Sequence, residues 1–395
     1  MIRRLRPGVV GVAAILMLAA GLADAQVDLR DDFVLPSARS SALGGFHATD
    51  TEDITVLYSN PAGLAGTQSQ FSFSKIGVRL SGPVFTLSSL IVEGVNRGLE
   101  DLLASDAFSG LLTSLYAAGD VAGPLYFGYV GAGLGFGVFN ATSFEARSIG
   151  STAVRASVGE RLILQGGYAF GVPLPNSWNS ELNFGVVLKG LIKGEAELEL
   201  SVLDLAGGGD LFGGDLTDSL PLAITSGIGV DIGLRYSLAD RFSVGLVGRD
   251  AFSPTVRTSY ASVNAFLQNE GSTAVAYDYI PFDLTAGVQW RPRLGRLERV
   301  ISDFRLLLDY RDIFDFLIQA GATPNPLLKI GFGTELTILE ILSVRGGFSE
   351  GLFAAGLGLD LTVMELDFAM FGSELSLEPG LRPVFNVAFG VSFGL

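Results

Sequence analysis

The last eleven residues, 385–395, alternate strictly between two kinds of side chain. Small or polar residues occupy one set of positions, and large apolar residues occupy the other: Phe385, Val387, Phe389, Val391, Phe393 and Leu395. Because a β-strand turns successive side chains to opposite faces, this segment presents an apolar stripe to one medium and a small, polar stripe to another. Lipid outside and a lumen inside account for both stripes. The pattern therefore predicts a membrane-spanning β-strand.

Hydrophobic residues make up 48% of the chain, although the sequence has only one long apolar run. That run, residues 8–23, follows three arginines and precedes Ala23-Asp24-Ala25, which is the pattern of a secretory signal. Its 16 residues are fewer than the roughly 20 that a bilayer-spanning helix needs, which disfavours a membrane anchor. We expect residues 1–25 to be a signal peptide, and no transmembrane helix then remains.

The charge and the residue types exclude several classes of function. The formal net charge is −15, and loss of residues 1–25 removes three arginines and Asp24, which leaves −17. Such an acidic protein does not attract nucleic acid. The absence of cysteine excludes disulfides, a thiol nucleophile and a cysteine metal site. The only histidine, His47, lies beside Phe46 in a setting that suits packing rather than catalysis. The sequence predicts neither an enzyme nor a cofactor or metal site.

Fourteen segments show strand alternation between turn signals. They are residues 71–80, 124–131, 134–145, 153–170, 181–203, 222–238, 241–252, 279–291, 303–312, 327–338, 341–348, 352–363, 365–375 and 383–395. An even number of strands suits a closed single-chain barrel. The long connections 81–123, 204–221, 253–278 and 313–326 all fall at one end of such a barrel. We predict an all-β fold, a transmembrane antiparallel β-barrel over residues 71–395, with a water-soluble β-sandwich as the alternative.

Residues 26–70 show no strand alternation and cannot belong to the wall of a barrel. Small residues at Leu43-Gly44-Gly45 permit dense packing, and Asn60-Pro61 sets a rigid turn before Ala62-Gly63. We expect this segment to fill the lumen as a hatch. A periplasmic arm is the alternative.

The Leu-Gly-Gly segment followed by Tyr58-Ser59-Asn60-Pro61-Ala62-Gly63-Leu64 resembles the start of the FadL-type outer-membrane transporters. The later strands are similar to those of uncharacterised spirochaetal relatives. The resemblance implies a fourteen-stranded barrel whose N-terminal hatch carries its turn at Asn60, Pro61, Ala62 and Gly63. It also implies uptake of long-chain fatty acids or other hydrophobic molecules, with release sideways through the wall.

A fatty acid needs a cation for its carboxylate, because an unpaired charge in a poorly hydrated lumen is costly. Alternation places six cations inward, with Lys189 and Arg305 as the preferred ligands and four more as candidates: Lys193, Arg235, Arg291 and Arg345. Four carboxylates share the lumen side: Asp231, Asp283, Asp309 and Glu335. Salt bridges among these residues are the alternative fate of the cations.

Two further features bear on transport. Residues 82–122 show near-helical apolar spacing, which predicts an amphipathic helical extracellular loop. Its lipid-capture candidates are Phe85, Leu87, Leu90 and Ile91, and a simple lid is the alternative role. Glycine-rich strands break a ladder readily, so Gly131, Gly133 and Gly135 are candidates for a lateral opening, with a tight turn as the alternative. The first strand also changes face near Lys75, which indicates a bulge.

The sequence therefore predicts an uptake channel in the cell outer membrane. The expected partners are a long-chain fatty acid or another hydrophobic small molecule, outer-membrane lipid, and the barrel assembly machinery during biogenesis, with no nucleic acid. The alternative is a non-transporting barrel that anchors or assists secretion or surface proteins. The predicted hatch argues against an open diffusion pore.

Overall fold

The computed structural model describes residues 35–83, 115–149, 153–201, 218, 220–239, 241–315 and 323–394. Sixteen strands form one antiparallel sheet within these ranges. They are β1 (Gln70–Ser81), β2 (Tyr116–Gly131), β3 (Leu134–Ile149), β4 (Ala153–Val172), β5 (Ser180–Ser201), β6 (Leu222–Leu238), β7 (Phe242–Phe252), β8 (Pro254–Tyr260), β9 (Ala274–Tyr279), β10 (Asp283–Trp290), β11 (Ile301–Tyr310), β12 (Ile330–Ile338), β13 (Leu342–Ser349), β14 (Leu352–Asp360), β15 (Met364–Glu374) and β16 (Pro383–Gly394).

The sheet closes on itself, because β1 pairs with β16 and β5 pairs with β6. β8 takes over from β7 as the partner of β6, and β9 pairs with β8 while β10 pairs with β7. β7 and β8 are therefore two parts of one interrupted wall strand, and β9 and β10 are two parts of another. Counted in this way, the closed barrel has fourteen strands, as predicted. Pro281 lies in the second interruption, where it has no N–H to donate to a ladder.

Two predicted connections are wrong at their boundaries. Most of the loop predicted at 253–278 is the hairpin of β8 and β9, with a short helix, Val263–Leu267, near its tip. β2 begins at Tyr116 rather than at Pro124. The sequence pattern missed its first part because the small residues before Gly123-Pro124 do not alternate with large ones. The end of the predicted helical loop at 116–122 is therefore wall strand, and its residues 84–114 lie outside the described ranges.

The connections differ between the two ends of the barrel. At the end that holds the start of β1 and the end of β16, four connections are short turns, at 132–133, 239–241, 339–341 and 361–363, and two are longer, at 173–179 and 291–300. The opposite end carries the long connections 82–115, 202–221, 261–273 and 311–329, together with the shorter ones at 150–152, 350–351 and 375–382. Long loops thus lie mainly at the end predicted to face outward. The signal-peptide prediction, residues 1–25, lies outside the described ranges.

The outer surface of the wall is apolar. Large hydrophobic side chains point away from the lumen along every wall strand, and Phe353 is 82% exposed. A closed barrel satisfies all wall backbone groups without a free edge, which is what lipid requires of strands. Among the described residues, none of the helices has the length and apolar character needed to cross a membrane.

Residues 35–69, called the lumen segment below, pack inside the closed wall. The segment contains helix α1 (Ala38–Ala42), helix α2 (Val56–Ser59) and a 3-10 helix (Pro61–Ala65). Ser37 caps α1, since its side chain accepts a hydrogen bond from the Ser40 N–H. α1 contacts β13 to β16, and the 3-10 helix contacts β2 to β6. The fourteen-stranded barrel expected from the sequence is therefore observed, with the lumen segment inside it.

Candidate functional site

The lumen segment rests on glycines of the wall. Gly185 of β5 and Gly233 of β6 are paired across the ladder, and a β-carbon at either position would collide with the turn at Asn60-Pro61. A β-carbon at Gly347 of β13 would lie 2.5 Å from the backbone nitrogen of Gly44. Wall glycines thus let the two backbones touch, which larger residues would prevent.

The Asn60 side chain ties this turn to its surroundings. Its Nδ2 donates to the Ala48 carbonyl at 2.6 Å and to the Leu234 carbonyl of β6 at 3.3 Å. Its Oδ1 accepts from the Ala62 N–H at 3.0 Å, which caps the 3-10 helix that begins at Pro61. Asn60 is fully buried, so these bonds satisfy a polar group that water does not reach.

One side of the lumen carries an apolar cluster, although the same strands also bury charged residues such as Arg161 and Lys189. Inward side chains of β2 to β5 and apolar residues of the lumen segment form one buried cluster, which includes Tyr126, Val130, Phe139, Ile163, Val187 and Leu191 from the wall and Leu35, Ile54, Val56, Leu57, Tyr58 and Leu64 from the segment. The interior of a porin barrel is polar, in contrast. This cluster gives the lumen an apolar lane along one side.

The other half of the lumen is charged, and its charges are paired. Glu335 of β12 binds Arg305 of β11, Arg345 of β13 at 2.7 Å, and Arg39 of α1 at 3.4 Å. Arg305 also pairs with Glu52 of the lumen segment. These bonds join the segment to three wall strands around one carboxylate.

The six cations predicted as ligand candidates all lie inside the barrel, and the structure gives each of them a protein partner. Lys189 bonds Asp231 and Asp250, both at 2.9 Å. Lys193 lies 3.7 Å from Glu195 and Arg291 lies 2.8 Å from Glu52. Arg235 alone has no carboxylate within 4.0 Å among the described residues; it donates to the Thr49 carbonyl at 3.2 Å and to Ser243 at 3.1 Å.

The neighbouring cations change the pKa of Asp50, a buried carboxyl of the lumen segment. Burial by itself raises the pKa of the Asp50 carboxyl. The guanidinium groups of Arg39 and Arg305 and the hydrogen bond from Arg39 outweigh this effect and lower the pKa to about 2. Arg39 Nη1 lies 3.0 Å from the Asp50 carboxylate. Asp50 is therefore ionised at neutral pH and holds α1 to the rest of the segment.

His47 is a packed residue and not a base aimed at a substrate. Its Nδ1 contacts the Asp309 carboxylate of β11, and its Nε2 lies 3.0 Å from the Leu43 carbonyl. The Ala48 N–H donates to the same carboxylate at 2.7 Å. Asp283, another predicted inward carboxylate, pairs with Arg249 at 2.8 Å. Within the described residues, no group of three or more metal-ligating side chains lies together.

The glycines predicted as a lateral opening lie in a continuous part of the wall. Gly131 and Gly133 have positive φ values, 153° and 80°, at the turn between β2 and β3. Gly135 of β3 pairs with Val130 on one side and with Gly167 on the other. This placement corresponds to the tight turn that was the alternative interpretation.

The ladder is interrupted elsewhere, between β1 and β2. Pairing stops after Ser72 and Gly128 and resumes at Gly77 and Ala122. The bulge predicted near Lys75 is therefore present. Ser74 Oγ lies 3.4 Å from the Pro124 carbonyl, and Asn140 of β3 accepts from the Leu125 N–H at 3.0 Å, so side chains replace part of the missing ladder.

A row of aromatic rings behind this interruption was not singled out from the sequence. The ring of Tyr126 lies 4.6 Å from that of Phe139, Phe139 lies 6.4 Å from Tyr58, and Tyr58 lies 5.2 Å from Phe46. The ammonium group of Lys75 lies 5.5 Å above the Tyr126 ring. The face change at Lys75 was the one sequence signal near this row.

Two cavities lie on opposite sides of the lumen segment. The outer cavity, of about 270 Å³, is lined by Phe46, Arg311 and Phe371 among others. The inner cavity, of about 230 Å³, lies toward the short-turn end and is lined by Asp53, Glu365 and Gln70 among others. Residues of the lumen segment line both cavities.

No protein-family model and no curated protein matches the sequence. Among solved structures, the chain is similar to the CymD monoaromatic hydrocarbon channel, with 13% identity and a TM-score of 0.49 over 92% of this chain and 98% of that one. The toluene transporter TbuX of Ralstonia pickettii gives the same four values. The toluene transporter TodX of Pseudomonas putida has 13% identity and a TM-score of 0.45, covering 91% and 97%. Likenesses at this level do not identify a substrate for this chain.

Proposed function

We propose that the chain is an outer-membrane uptake channel for hydrophobic molecules, with the lumen segment as its hatch and long-chain fatty acids as the expected substrates. One observation carries the proposal: a segment buried against the wall on opposite sides lies inside a closed barrel whose outer surface is apolar. A diffusion pore has no use for such a plug. A channel for scarce or membrane-active molecules needs one, because it must admit a ligand without leaking solutes.

The apolar half of the lumen supports a hydrophobic cargo. The wall residues Phe139, Ile163 and Leu191 are inward and almost fully buried. An apolar ligand gains from leaving water for such a surface, whereas a polar solute pays to lose its hydration there. The paired charges in the other half leave few cations for a cargo of high charge.

For lateral release, the interruption between β1 and β2 supports an opening better than Gly131, Gly133 and Gly135 do. The ladder lacks backbone pairs over residues 73–76 and 123–127, so the two strands separate there at a lower cost in hydrogen bonds. The apolar cluster extends to this point through Tyr126. A hydrophobic molecule that crosses the cluster thus reaches this interruption of the wall.

Calorimetric titration of the detergent-purified mature protein with a long-chain fatty acid and with toluene tests the cargo. Tryptophan fluorescence is a poor probe, because Trp178 and Trp290 are exposed on the outside of the barrel near the short-turn end. We expect saturable binding of about one ligand per barrel, since the lumen holds one segment and one apolar lane. Binding of neither ligand would overturn the proposal and favour a barrel that anchors or assists other proteins.

Deletion of residues 26–66 tests the hatch. Planar-bilayer recordings should show a large rise in single-channel conductance, because the deletion removes α1, α2 and the whole 3-10 helix from the lumen. Heat-modifiable migration on gels confirms that the barrel still folds. Unchanged conductance in a folded barrel would contradict a plugging role.

A further inference from the structure

Lys75 is a buried ammonium group without an anion beside it. The residue is only 9% exposed, and among the described residues no carboxylate oxygen lies within 4.0 Å of its Nζ. Its contact is the face of the Tyr126 ring, at 5.5 Å. A buried charge without a partner is costly, so a site that keeps one is arranged for an anion that arrives later.

Another buried lysine, Lys189, has carboxylates in direct contact. Lys189 of β5 lies between two carboxylates, Asp231 and Asp250. Glu365 shares a row with Lys75, but the two flank Ser392 of β16 in the ladder. Two strand spacings separate their backbones by roughly 10 Å. The wall therefore places two carboxylates in contact with Lys189, whereas Glu365 acts on Lys75 only from a longer distance.

Two tyrosines of the aromatic row carry hydroxyl groups that could serve a ligand, and one of them, Tyr126, lies beneath Lys75. The hydroxyl groups of Tyr58 and Tyr126 are buried and lie near each other, and neither makes a hydrogen bond within 3.5 Å among the described residues. A bond between the two would use only one of their two protons, so at least one donor remains for a ligand. Burial raises the pKa of Tyr58, so its hydroxyl keeps its proton and remains a donor. Buried donors without acceptors are rare in native proteins and point to an absent group.

The unsatisfied donors are connected to the outer cavity by apolar surface. Phe46 lines that cavity, and its ring packs edge-on against Tyr58. Phe139 then bridges Tyr58 and Tyr126. A ligand with an apolar body would lie along these rings while its polar end reaches Lys75.

We propose that Lys75, Tyr58 and Tyr126 form a recognition site for the carboxylate of an otherwise apolar ligand. The inference rests on the proposed uptake of hydrophobic molecules and adds the residues that select an acid over a neutral molecule. An ammonium and two phenol groups offer donors to both carboxylate oxygens, and the ammonium makes one of these bonds charge-assisted. Lys75 takes the role that the sequence assigned to Lys189 or Arg305, which the protein's own carboxylates already occupy.

A matched pair of ligands tests the site, decanoate and 1-decanol, which share a chain length and differ in charge. Calorimetry on the full mature protein in amphipol should show that wild type binds decanoate at least tenfold more tightly than decanol. Lys75→Met should remove this preference by weakening decanoate binding and leaving decanol binding unchanged. Tyr58→Phe and Tyr126→Phe should each weaken decanoate binding severalfold.

Two variants control for folding and for general charge. Lys193→Met removes another lumen lysine, at the edge of the outer side, and should leave the preference intact. Lys75→Arg keeps the cation and should retain most of it. Equal binding of acid and alcohol by wild type, or an unchanged preference in folded Lys75→Met, would overturn this inference and leave the uptake proposal standing. Binding of neither ligand by wild type would overturn both.

Discussion

Gly185 of β5 lies directly across the ladder from Gly233 of β6, and the Asn60-Pro61 turn of the lumen segment rests on both. The contact at Gly185 is to the backbone of Pro61, which cannot move aside as a flexible side chain can. The turn of the proposed hatch can therefore pack directly against the wall because both wall residues lack a β-carbon.

Gly185→Val should lift the turn from the wall and raise the basal conductance of the barrel in planar bilayers. The matched control is Gly190→Val in the same strand, where a β-carbon would meet nothing within 4 Å. Valine suits a strand at either position, so a difference between the two variants reports the contact with the turn. Equal conductance of both variants and wild type would show that the turn does not seal the lumen.

Asn60→Ala should loosen the lumen segment. The variant leaves the Ala48 and Leu234 carbonyls and the Ala62 N–H without their side-chain partner, at a cost of about 1–3 kcal/mol. Hydrogen exchange followed by mass spectrometry should become faster over residues 60–66 and remain unchanged in the wall. Asn176→Ala, in an exposed turn, is the control, and protection equal to wild type in Asn60→Ala would contradict the assigned bonds.

Glu335→Gln should lower the free energy of unfolding by about 3–5 kcal/mol, because three buried guanidinium groups lose their shared carboxylate. Urea unfolding in lipid vesicles measures the change. Glu340→Gln, in an exposed turn at the end of the same hairpin, should have little effect. A loss below about 1 kcal/mol would mean that water or other groups replace the carboxylate.

Acid should weaken the attachment of α1 through Asp50. The folded pKa of Asp50, about 2, lies below the ordinary value of 3.8, so its contribution is present above pH 3.8 and is lost as the pH falls toward 2. The stability of wild type should therefore fall more steeply between pH 4 and pH 2 than that of Asp50→Asn. Parallel curves over this window would show that Asp50 keeps its ordinary pKa. Asp278→Asn, at an exposed position of β9, provides the reference for a surface carboxylate.

Most of the wall could be predicted from the sequence, because a strand between lipid and lumen must alternate at every step. β6 was predicted at its observed bounds, and the bulge near Lys75 was visible as a break in the alternation. The errors came where alternation is absent or unexpected. The small residues of β2 before Pro124 read as a loop, and the hairpin of β8 and β9 lies in a stretch that lacks a clear apolar face.

The candidate site was less accessible to sequence reasoning. Inward orientation was predicted for Lys189 and Arg305, but their carboxylate partners come from other strands and from the lumen segment. Lys75 was noticed only as an irregularity. Its lack of a carboxylate partner depends on which strands are neighbours, and no local pattern contains that information.

The sequence by itself determined a fourteen-stranded membrane barrel and a non-strand segment before it, because period-two alternation is a local consequence of strand geometry in lipid. Only the tertiary structure decided where the segment rests, which charges neutralise one another and which ammonium stays unpaired. Those outcomes depend on ring closure and on contacts between residues as distant as Arg39 and Glu335. Electrostatic pairing acts through space over a few ångströms, and the chain order does not specify it.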